Sequence, residues 1–140
     1  MLRGEVQDEN AALMDGVSGH AGLFGSAEDL LTFAEWMIEG WKGRTVIQDF
    51  TRRQNLVPGS SRALGWDTPS PGGSAGSRLS PRSFGHTGFT GTSLWIDPER
   101  RLAIILLSNR VNPTRDNPRW APLRGKIADL VMATLFEDAQ

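Results

Sequence analysis

Residues 84–108 contain three successive runs with the composition of β-strands, separated by short turns. The runs cover residues 84–88, 92–97 and 102–108, and the turn between the last two reads Asp97-Pro98-Glu99-Arg100. Connections this short allow only antiparallel pairing, because parallel strands need a crossover of a dozen or more residues. Asp and Pro are typical of tight turns. The region therefore predicts a three-stranded antiparallel meander.

Helical patterns lie on either side of this meander. Ser26 is an N-cap residue, and an amphipathic helix is predicted over residues 27–39, ending at Gly40 or Gly43. Residues 46–54 predict a short second helix, and residues 119–137 a final amphipathic helix. The predicted apolar side of this last helix is Leu123, Ile127, Leu130, Val131, Ala133, Thr134 and Leu135.

Helices laid on an antiparallel sheet predict an α+β layered fold. The run Leu102–Leu107 is almost continuously apolar, which predicts a strand covered on both faces. A three-stranded sheet is thin for two helices, so we expect it to be part of a larger sheet. Residues 64–67 are a short strand candidate. Residues 69–82, rich in Pro, Gly and Ser, predict a long flexible loop.

Composition excludes several classes of function. The 15 basic and 16 acidic residues give a net charge of −1. This balance provides no net electrostatic attraction for nucleic acid or an anionic membrane. Arginines gather between Arg100 and Arg124, but Asp97, Glu99 and Asp116 are interleaved, which predicts a solvated face. The chain has no cysteine, which excludes disulfides and thiol catalysis. No apolar run approaches the length of a membrane span, and polar, acidic residues 1–20 do not resemble a signal peptide. The sequence leaves the compartment open.

A glycine-rich segment at the start of the meander carries the candidate site. Residues 84–91 read Phe-Gly-His-Thr-Gly-Phe-Thr-Gly, which sets His86 and Thr87 among glycines. The structural alternative is a hydrogen-bonded strand histidine, with glycines that mark bulges or tight bends. His20 lies in a second glycine-flanked loop and is a candidate for the rim of the site, or a turn histidine. With two distant histidines and no phosphate-binding loop, we expect neither metal nor cofactor.

Residues 84–98 resemble the third conserved element of serine β-lactamases and penicillin-binding proteins. The usual form of that element is Lys-Thr-Gly, and a His-Thr-Gly form occurs among β-lactamase-related esterases. Residues 4–11, 19–24 and 27–33 resemble the same family, in the same order. The resemblance implies that residues 1–140 form a partial domain, the C-terminal portion of the family's αβα sandwich.

The resemblance also implies a serine acyl-enzyme mechanism, in which the Ser of Ser-x-x-Lys attacks a carbonyl. In the family, the residue at the position of His86 faces the substrate's acid group, and the hydroxyl at Thr87 donates to that group. Gly88 leaves room for the substrate, and Phe89 gives one N–H to the oxyanion. An imidazole titrates near pH ~6.5, so it is mostly neutral at pH 7. We therefore expect a preference for esters or modified amides over classical penicillins.

The nucleophile of that mechanism is absent from these residues. The two lysines, Lys42 and Lys126, are preceded three positions earlier by Glu39 and Leu123, so the chain has no Ser-x-x-Lys. The family's Tyr-x-Asn motif is also absent, because the chain has no tyrosine. Residues 16–20 match the Gly-x-Ser-x-Gly pattern of a nucleophile elbow except at the last position, where His20 stands in place of glycine, so this motif is absent as well. We therefore expect the chain to be inactive by itself.

Three interpretations stay open. In the first, the chain is a C-terminal fragment of a serine hydrolase and supplies the His86-Thr87-Gly88 wall to a site completed by an N-terminal segment. Its substrate would be a small-molecule ester or amide. In the second, the chain is a non-catalytic binding or assembly module. In the third, it is a self-contained hydrolase that uses His86 with an unidentified Ser and Asp. The first interpretation leaves apolar strand faces exposed, which predicts self-association into a homo-oligomer or partial unfolding.

Overall fold

Four helices and three strands make up the chain in a computed structural model that describes residues 2–43 and 45–136. In chain order they are α1 (Glu9–Ala12), α2 (Ala27–Gly43), α3 (Thr45–Thr51), β1 (Phe84–Thr87), β2 (Ser93–Asp97), β3 (Leu102–Leu106) and α4 (Trp120–Phe136). The predicted α+β class is confirmed. Each predicted helix and each strand of the meander is present, with ends that differ by a few residues. Helix α1 is an addition to the helices that the sequence predicts. No helix in the described ranges is long and apolar enough to cross a bilayer.

The sheet is the predicted antiparallel meander in the order β1-β2-β3. Phe84 pairs with Ile96 across β1 and β2, and Asp97 pairs with Leu102 across β2 and β3. Arg101 closes the hairpin turn with a φ of +53°. Residues 64–67 do not form the predicted strand. They contribute two isolated bridges, from Asp67 to Arg62 and from Asp67 to Gly85, which set this segment beside β1.

The core lies on both faces of the sheet. On one face, Phe84 and Ile96 pack against residues of α2 and α3: Ala34, Met37, Ile38 and Ile47. On the other face, Trp95 and Ile104 pack against Ala128 and Met132 of α4 and against two loop residues, Ala75 and Leu79. Strand β3 contributes to both clusters, as its apolar run predicts. Only Ile104 of this strand is buried, however, and it remains 8% exposed, so the cover over β3 is partial.

The buried side of α4 differs from the predicted apolar side. Its buried residues are Arg124, Gly125, Ala128 and Met132. The large side chains of Leu130 and Leu135 are 67% and 53% exposed. The reason is a close approach between α4 and the loop of residues 69–82. A Cβ at position 125 would lie 2.6 Å from the Gly73 carbonyl oxygen, so only a small residue fits there.

The loop of residues 69–82 contains neither helix nor strand, as predicted, but it is fastened at two points. The carboxylate of Asp129 on α4 accepts hydrogen bonds from the backbone N–H groups of Ser77 and Arg78, at 2.6 and 3.1 Å. The carboxylate of Asp97 accepts one from the Ser80 N–H at 2.9 Å. These bonds tie the loop to α4 and β2.

Candidate active site

A cleft of about 620 Å³ lies between the C-terminal end of β1 and the loops on either side of α1. The strand side is formed by residues 86–90 and Thr92, and the opposite side by residues 5–8 and 18–24. The cleft therefore brings together every site residue that the sequence predicts: His20, His86, Thr87, Gly88 and Phe89. The two sides are about 60 positions apart in the chain, and the fold alone makes them neighbours.

His86 has both ring nitrogens in hydrogen bonds. Arg62 Nη1 donates to Nε2 at 3.0 Å, and Nδ1 donates to the Thr87 carbonyl oxygen at 3.0 Å. A guanidinium can only donate and a carbonyl oxygen can only accept. These partners therefore require a neutral imidazole with its hydrogen on Nδ1. Neither nitrogen is available to a serine in this arrangement, which does not favour a self-contained hydrolase built on His86.

Arg62 places a permanent positive charge beside His86. Its side chain is exposed, and the short bridges through Asp67 to Gly85 hold its segment next to β1. Arginine stays protonated throughout the physiological pH range. The charge that a lysine would bring to this position is therefore supplied by a residue 24 positions earlier in the sequence.

The peptide unit between Gly88 and Phe89 is oriented by a buried guanidinium. Arg124 Nη2 donates to the Gly88 carbonyl oxygen at 2.6 Å and to the Thr92 carbonyl oxygen at 3.1 Å. In a trans peptide the C=O and the following N–H point in opposite directions. The Phe89 N–H therefore points away from Arg124, and no backbone carbonyl among the described residues accepts it.

Arg110 fixes the residue on the other side of that peptide. Its Nε donates to the Phe89 carbonyl oxygen at 2.5 Å, and its guanidinium carbon lies 4.4 Å from the centre of the Phe89 ring. Its backbone N–H donates to the Thr90 carbonyl oxygen at 2.7 Å. Two arginines from outside the strand thus hold the turn at Gly88, Phe89 and Thr90.

Gly88 is required by the packing of this turn. A Cβ at this position would lie 2.2 Å from the Thr92 side-chain oxygen. A Cβ on Gly85 would meet the Leu94 carbonyl oxygen. A Cβ on Gly91 would meet the side chain and the carbonyl oxygen of Ser108. Close packing therefore accounts for these glycines, and it is compatible with a ligand that lies along the same edge.

His20 is held on the opposite side of the cleft by a chain of hydrogen bonds. Its Nε2 lies 2.9 Å from Oδ1 of Asp8, and its Nδ1 lies 2.5 Å from Oγ of Ser18. The same Asp8 oxygen accepts the Ala11 N–H at 2.8 Å and caps α1. The Ala11 N–H and, after it, the His20 hydrogen bond lower the pKa of the Asp8 carboxyl. An ionised Asp8 can only accept, so a hydrogen lies on Nε2, and in the neutral ring the Ser18 hydroxyl donates to Nδ1.

Three arginines that contact the candidate site are missing from the sequence prediction. Arg110 and Arg124 belong to the stretch that was predicted to form a solvated face, yet Arg124 is 8% exposed. Arg62 stands in no recognisable motif. The small residues Gly125 and Ala128 are a sequence signal for close packing of α4, since small residues allow a helix to approach its neighbour. Arg124 lies beside them on the buried side of the helix. No local pattern identifies Arg62.

Comparisons with known proteins agree on one family. A family model described as Beta-lactamase matches residues 2–129. A protein of Salmonella typhi named "Putative D-alanyl-D-alanine carboxypeptidase" is 38% identical over 133 residues, and the match covers 86% of this chain and 30% of that protein. A protein of the same name from Salmonella paratyphi B gives the same values. The crystal structure of a beta-lactamase from Mycobacterium bovis aligns with a TM-score of 0.64 and 28% identity, over 81% of this chain and 46% of that one.

Proposed function

This chain belongs to the beta-lactamase family, and we propose that it supplies one wall of a serine acyl-transfer site. The chain spans 30% of the length of the curated relatives that it matches. In this proposal, His86, Thr87 and Gly88 bind the substrate and the Phe89 N–H donates to the oxyanion. The nucleophilic Ser of Ser-x-x-Lys comes from a complementing segment outside these residues.

The orientation of the Gly88–Phe89 peptide is the observation that carries the proposal. An oxyanion donor works when it is fixed in advance and aimed at the place where charge develops. Arg124 holds the carbonyl of this peptide at 2.6 Å, and Arg110 holds the next carbonyl at 2.5 Å. The N–H between them points away from Arg124, and no backbone carbonyl in the described part of the chain accepts it.

We propose that the substrate is an ester or amide that carries an acid group near His86. A neutral imidazole by itself attracts a carboxylate weakly, which is the basis of the ester preference expected from the sequence. Arg62, 3.0 Å from the ring, adds a full positive charge and offsets that preference. The name of the Salmonella relatives refers to D-alanyl-D-alanine, a peptide end that carries a carboxylate, and such an amide is compatible with this wall.

The oxyanion role is tested in a chimera in which this chain replaces the matched stretch of the Salmonella typhi relative. Phe89→Pro removes the backbone N–H, whereas Phe89→Ala keeps it and removes only the ring. Loss of one oxyanion donor lowers kcat by about 10²–10³-fold. We expect a loss of this order in Phe89→Pro and a much smaller loss in Phe89→Ala, measured with a chromogenic ester.

The unmodified Salmonella protein is the positive control for that assay, and circular dichroism checks that both variants fold. Equal losses in the two variants would show that the ring, and not the N–H, matters. A folded Phe89→Pro variant with full activity would remove the oxyanion role altogether.

A second candidate function rests on the connectivity of Ser18, His20 and Asp8. A hydroxyl that donates to an imidazole, which donates in turn to an ionised carboxylate, has the bond order of a serine nucleophile and its base. The three residues lie on the wall of the same cleft. This arrangement favours a slow esterase activity of the isolated chain, independent of any complementing segment.

The second candidate predicts that the isolated chain hydrolyses an activated acetate ester and that Ser18→Ala abolishes the reaction. The matched control is Ser26→Ala, which removes a serine hydroxyl whose hydrogen bonds are with Asp29 at the start of α2. Absence of turnover, or equal turnover in Ser18→Ala and the wild-type chain, rejects this candidate and leaves the acyl-transfer wall as the function.

A further inference from the structure

A second cavity, of about 420 Å³, shares Thr87, Gly88 and Phe89 with the cleft. Its remaining lining comes from Arg110 and from the region around the start of α4: Asn117, Ala121 and Arg124. The turn at Gly88 therefore separates two cavities, and the second one is lined by two guanidinium groups. We name it the arginine pocket.

The two arginines of this pocket lack a carboxylate partner among residues 2–43 and 45–136. Their hydrogen bonds go to neutral carbonyl oxygens: Arg124 bonds Gly88 and Thr92, and Arg110 bonds Phe89 and Arg115. The nearby acid Glu9 is already paired with Arg115 at 2.9 Å. The pocket therefore holds two positive charges that no described acidic side chain offsets.

Arg124 is in addition incompletely hydrogen-bonded. Its side chain is only 8% exposed, and its Nε is a buried donor without an acceptor in the described structure. Burial first, and then the positive charge of Arg110, lower the pKa of the Arg124 guanidinium. Buried polar groups in native proteins almost always have a partner, and a buried charge is stabilised only by an opposite one. An anion with acceptor oxygens would supply both a hydrogen-bond partner and an opposite charge.

We propose that the arginine pocket binds a small oxyanion, a phosphate or a carboxylate. Arginine forks match the oxygens of both groups, and the Asn117 amide adds a neutral hydrogen-bonding group to the lining. The pocket shares Thr87, Gly88 and Phe89 with the substrate wall, but its arginines lie on the α4 side of the Gly88 turn. An anion bound there would compete with the Gly88 carbonyl for Arg124, and it would thereby alter the orientation of the Phe89 N–H.

Titration of the ¹⁵N-labelled chain with sodium phosphate at constant ionic strength tests the proposal. We expect saturable shifts in the backbone signals of Gly88 and Phe89 and in the Arg124 Nε–H signal. Arg110→Gln and Arg124→Gln should each weaken apparent phosphate binding by about tenfold or more, as the loss of a charge-assisted hydrogen bond implies. Arg52→Gln, which removes an exposed arginine paired with Asp49, should leave binding unchanged.

A third variant keeps the test independent of the folding of Arg124→Gln. Asn117→Asp places a carboxylate in the pocket and retains the acceptor for the Arg119 N–H, which Asn117 Oδ1 now provides at 3.2 Å. We expect this variant to lose the phosphate shifts and to keep or raise the Tm. A structural role of the two arginines alone would leave the phosphate response of Asn117→Asp unaltered.

The source of the oxyanion is resolved by a parallel titration with sodium acetate. Shifts of the same residues at similar concentrations identify a carboxylate site, and a response to phosphate alone identifies a phosphoryl site. Both outcomes support the proposal. A response that equals the one to sodium chloride, or that persists in Arg110→Gln and Asn117→Asp alike, would overturn it. None of these outcomes depends on acyl transfer, so the test fails or succeeds separately from the proposed function.

Discussion

Asp97 is a fully buried carboxylate at the turn between β2 and β3. Burial raises the pKa of its carboxyl, but the hydrogen bonds from Ser80 and Arg100 outweigh it, and the net effect is a pKa below the ordinary value of 3.8. Arg100 Nη1 lies 2.9 Å from Oδ2, and the Ser80 hydroxyl lies 2.8 Å from Oδ1. One side chain thus joins the hairpin turn to the loop of residues 69–82.

Asp97→Asn is expected to lower the free energy of unfolding by about 3 kcal/mol, because it leaves buried donors and the Arg100 charge unpaired. A carboxyl with a lowered folded-state pKa stabilises the protein at pH values above its unfolded-state pKa. That contribution disappears as the pH falls through the folded-state pKa. The difference between wild type and variant should therefore be full at pH 7 and shrink below pH 3.8. Urea unfolding at several pH values measures it.

Asp49→Asn is the matched control, because Asp49 forms an exposed pair with Arg52 and its side chain is 65% exposed. Its effect should stay within about 0.5 kcal/mol. An Asp97→Asn variant that is as stable as this control at neutral pH would contradict the role given to the buried carboxylate.

The two histidines are predicted to hold opposite tautomers. His86 carries its hydrogen on Nδ1, because Nε2 accepts from Arg62. His20 carries its hydrogen on Nε2, because that atom faces Asp8. Long-range ¹H–¹⁵N correlation spectra of the neutral imidazoles distinguish the two forms directly. The same tautomer in both rings would contradict the hydrogen-bond assignment in one of them.

Site residues that form a contiguous motif could be predicted from the sequence. Residues that contact this motif from a distant part of the chain could not. The motif at His86, Thr87 and Gly88 is local, and the structure places it on the cleft. Arg62 and Arg124 reach the same motif from 24 and 36 positions away. The Arg62 contact depends on the β-bridge at Asp67, and the Arg124 contact depends on how α4 packs against the sheet. No sequence pattern identifies either contact.

At the scale of elements, α4 illustrates why the buried face of a helix can be misjudged. Periodicity selects the positions with the largest apolar side chains, here Leu130 and Leu135, for the core. The partner of α4, however, is the backbone of the loop of residues 69–82 as well as the sheet, and a backbone partner requires small residues at the contact. The strands of the meander were easier to predict, because their neighbours in the sheet are also their neighbours in the chain.

Gly125→Ala tests the close contact between α4 and that loop. The added methyl group would lie 2.6 Å from the Gly73 carbonyl oxygen, and neither backbone can yield without a shift of the helix. We expect a loss of about 2 kcal/mol in the free energy of unfolding, although alanine favours a helix over glycine. Thermal unfolding followed by circular dichroism measures the change.

Gly43→Ala provides the comparison for this prediction. A Cβ at position 43, in the last turn of α2, meets no atom of the described residues within 4 Å, so this variant should be neutral or slightly more stable. If both glycine variants behave alike, the contact between α4 and the loop is looser than described.

At the scale of the whole molecule, the accessible surface is too large for a closed monomer. The surface measures 9529 Å², whereas a compact monomer of this mass exposes about 7,100 Å². Exposed apolar side chains on α4 contribute to the excess: Leu123, Leu130 and Leu135. Exposed apolar surface of this kind is typical of a site that another chain or segment covers.

We therefore expect the isolated chain to self-associate. Light scattering after size exclusion should give a weight-average mass that rises above 15.3 kDa with concentration. Leu130→Glu on α4 should reduce this rise, whereas Leu56→Glu, at an 82% exposed loop position, should not. A monodisperse monomer at all concentrations would contradict the self-association expected of a C-terminal fragment with exposed apolar surface.

Covalent acylation is the most direct test of the central claim, that residues 86–89 form one wall of a site whose nucleophile lies elsewhere. Intact-mass spectrometry after incubation with a penicillin and with an activated ester detects an acyl adduct on any serine. We predict no adduct on the isolated chain and one adduct on the chimera, at a serine outside the residues of this chain. An adduct on the isolated chain, or a folded chimera that stays unmodified while the Salmonella protein is acylated, would contradict the claim.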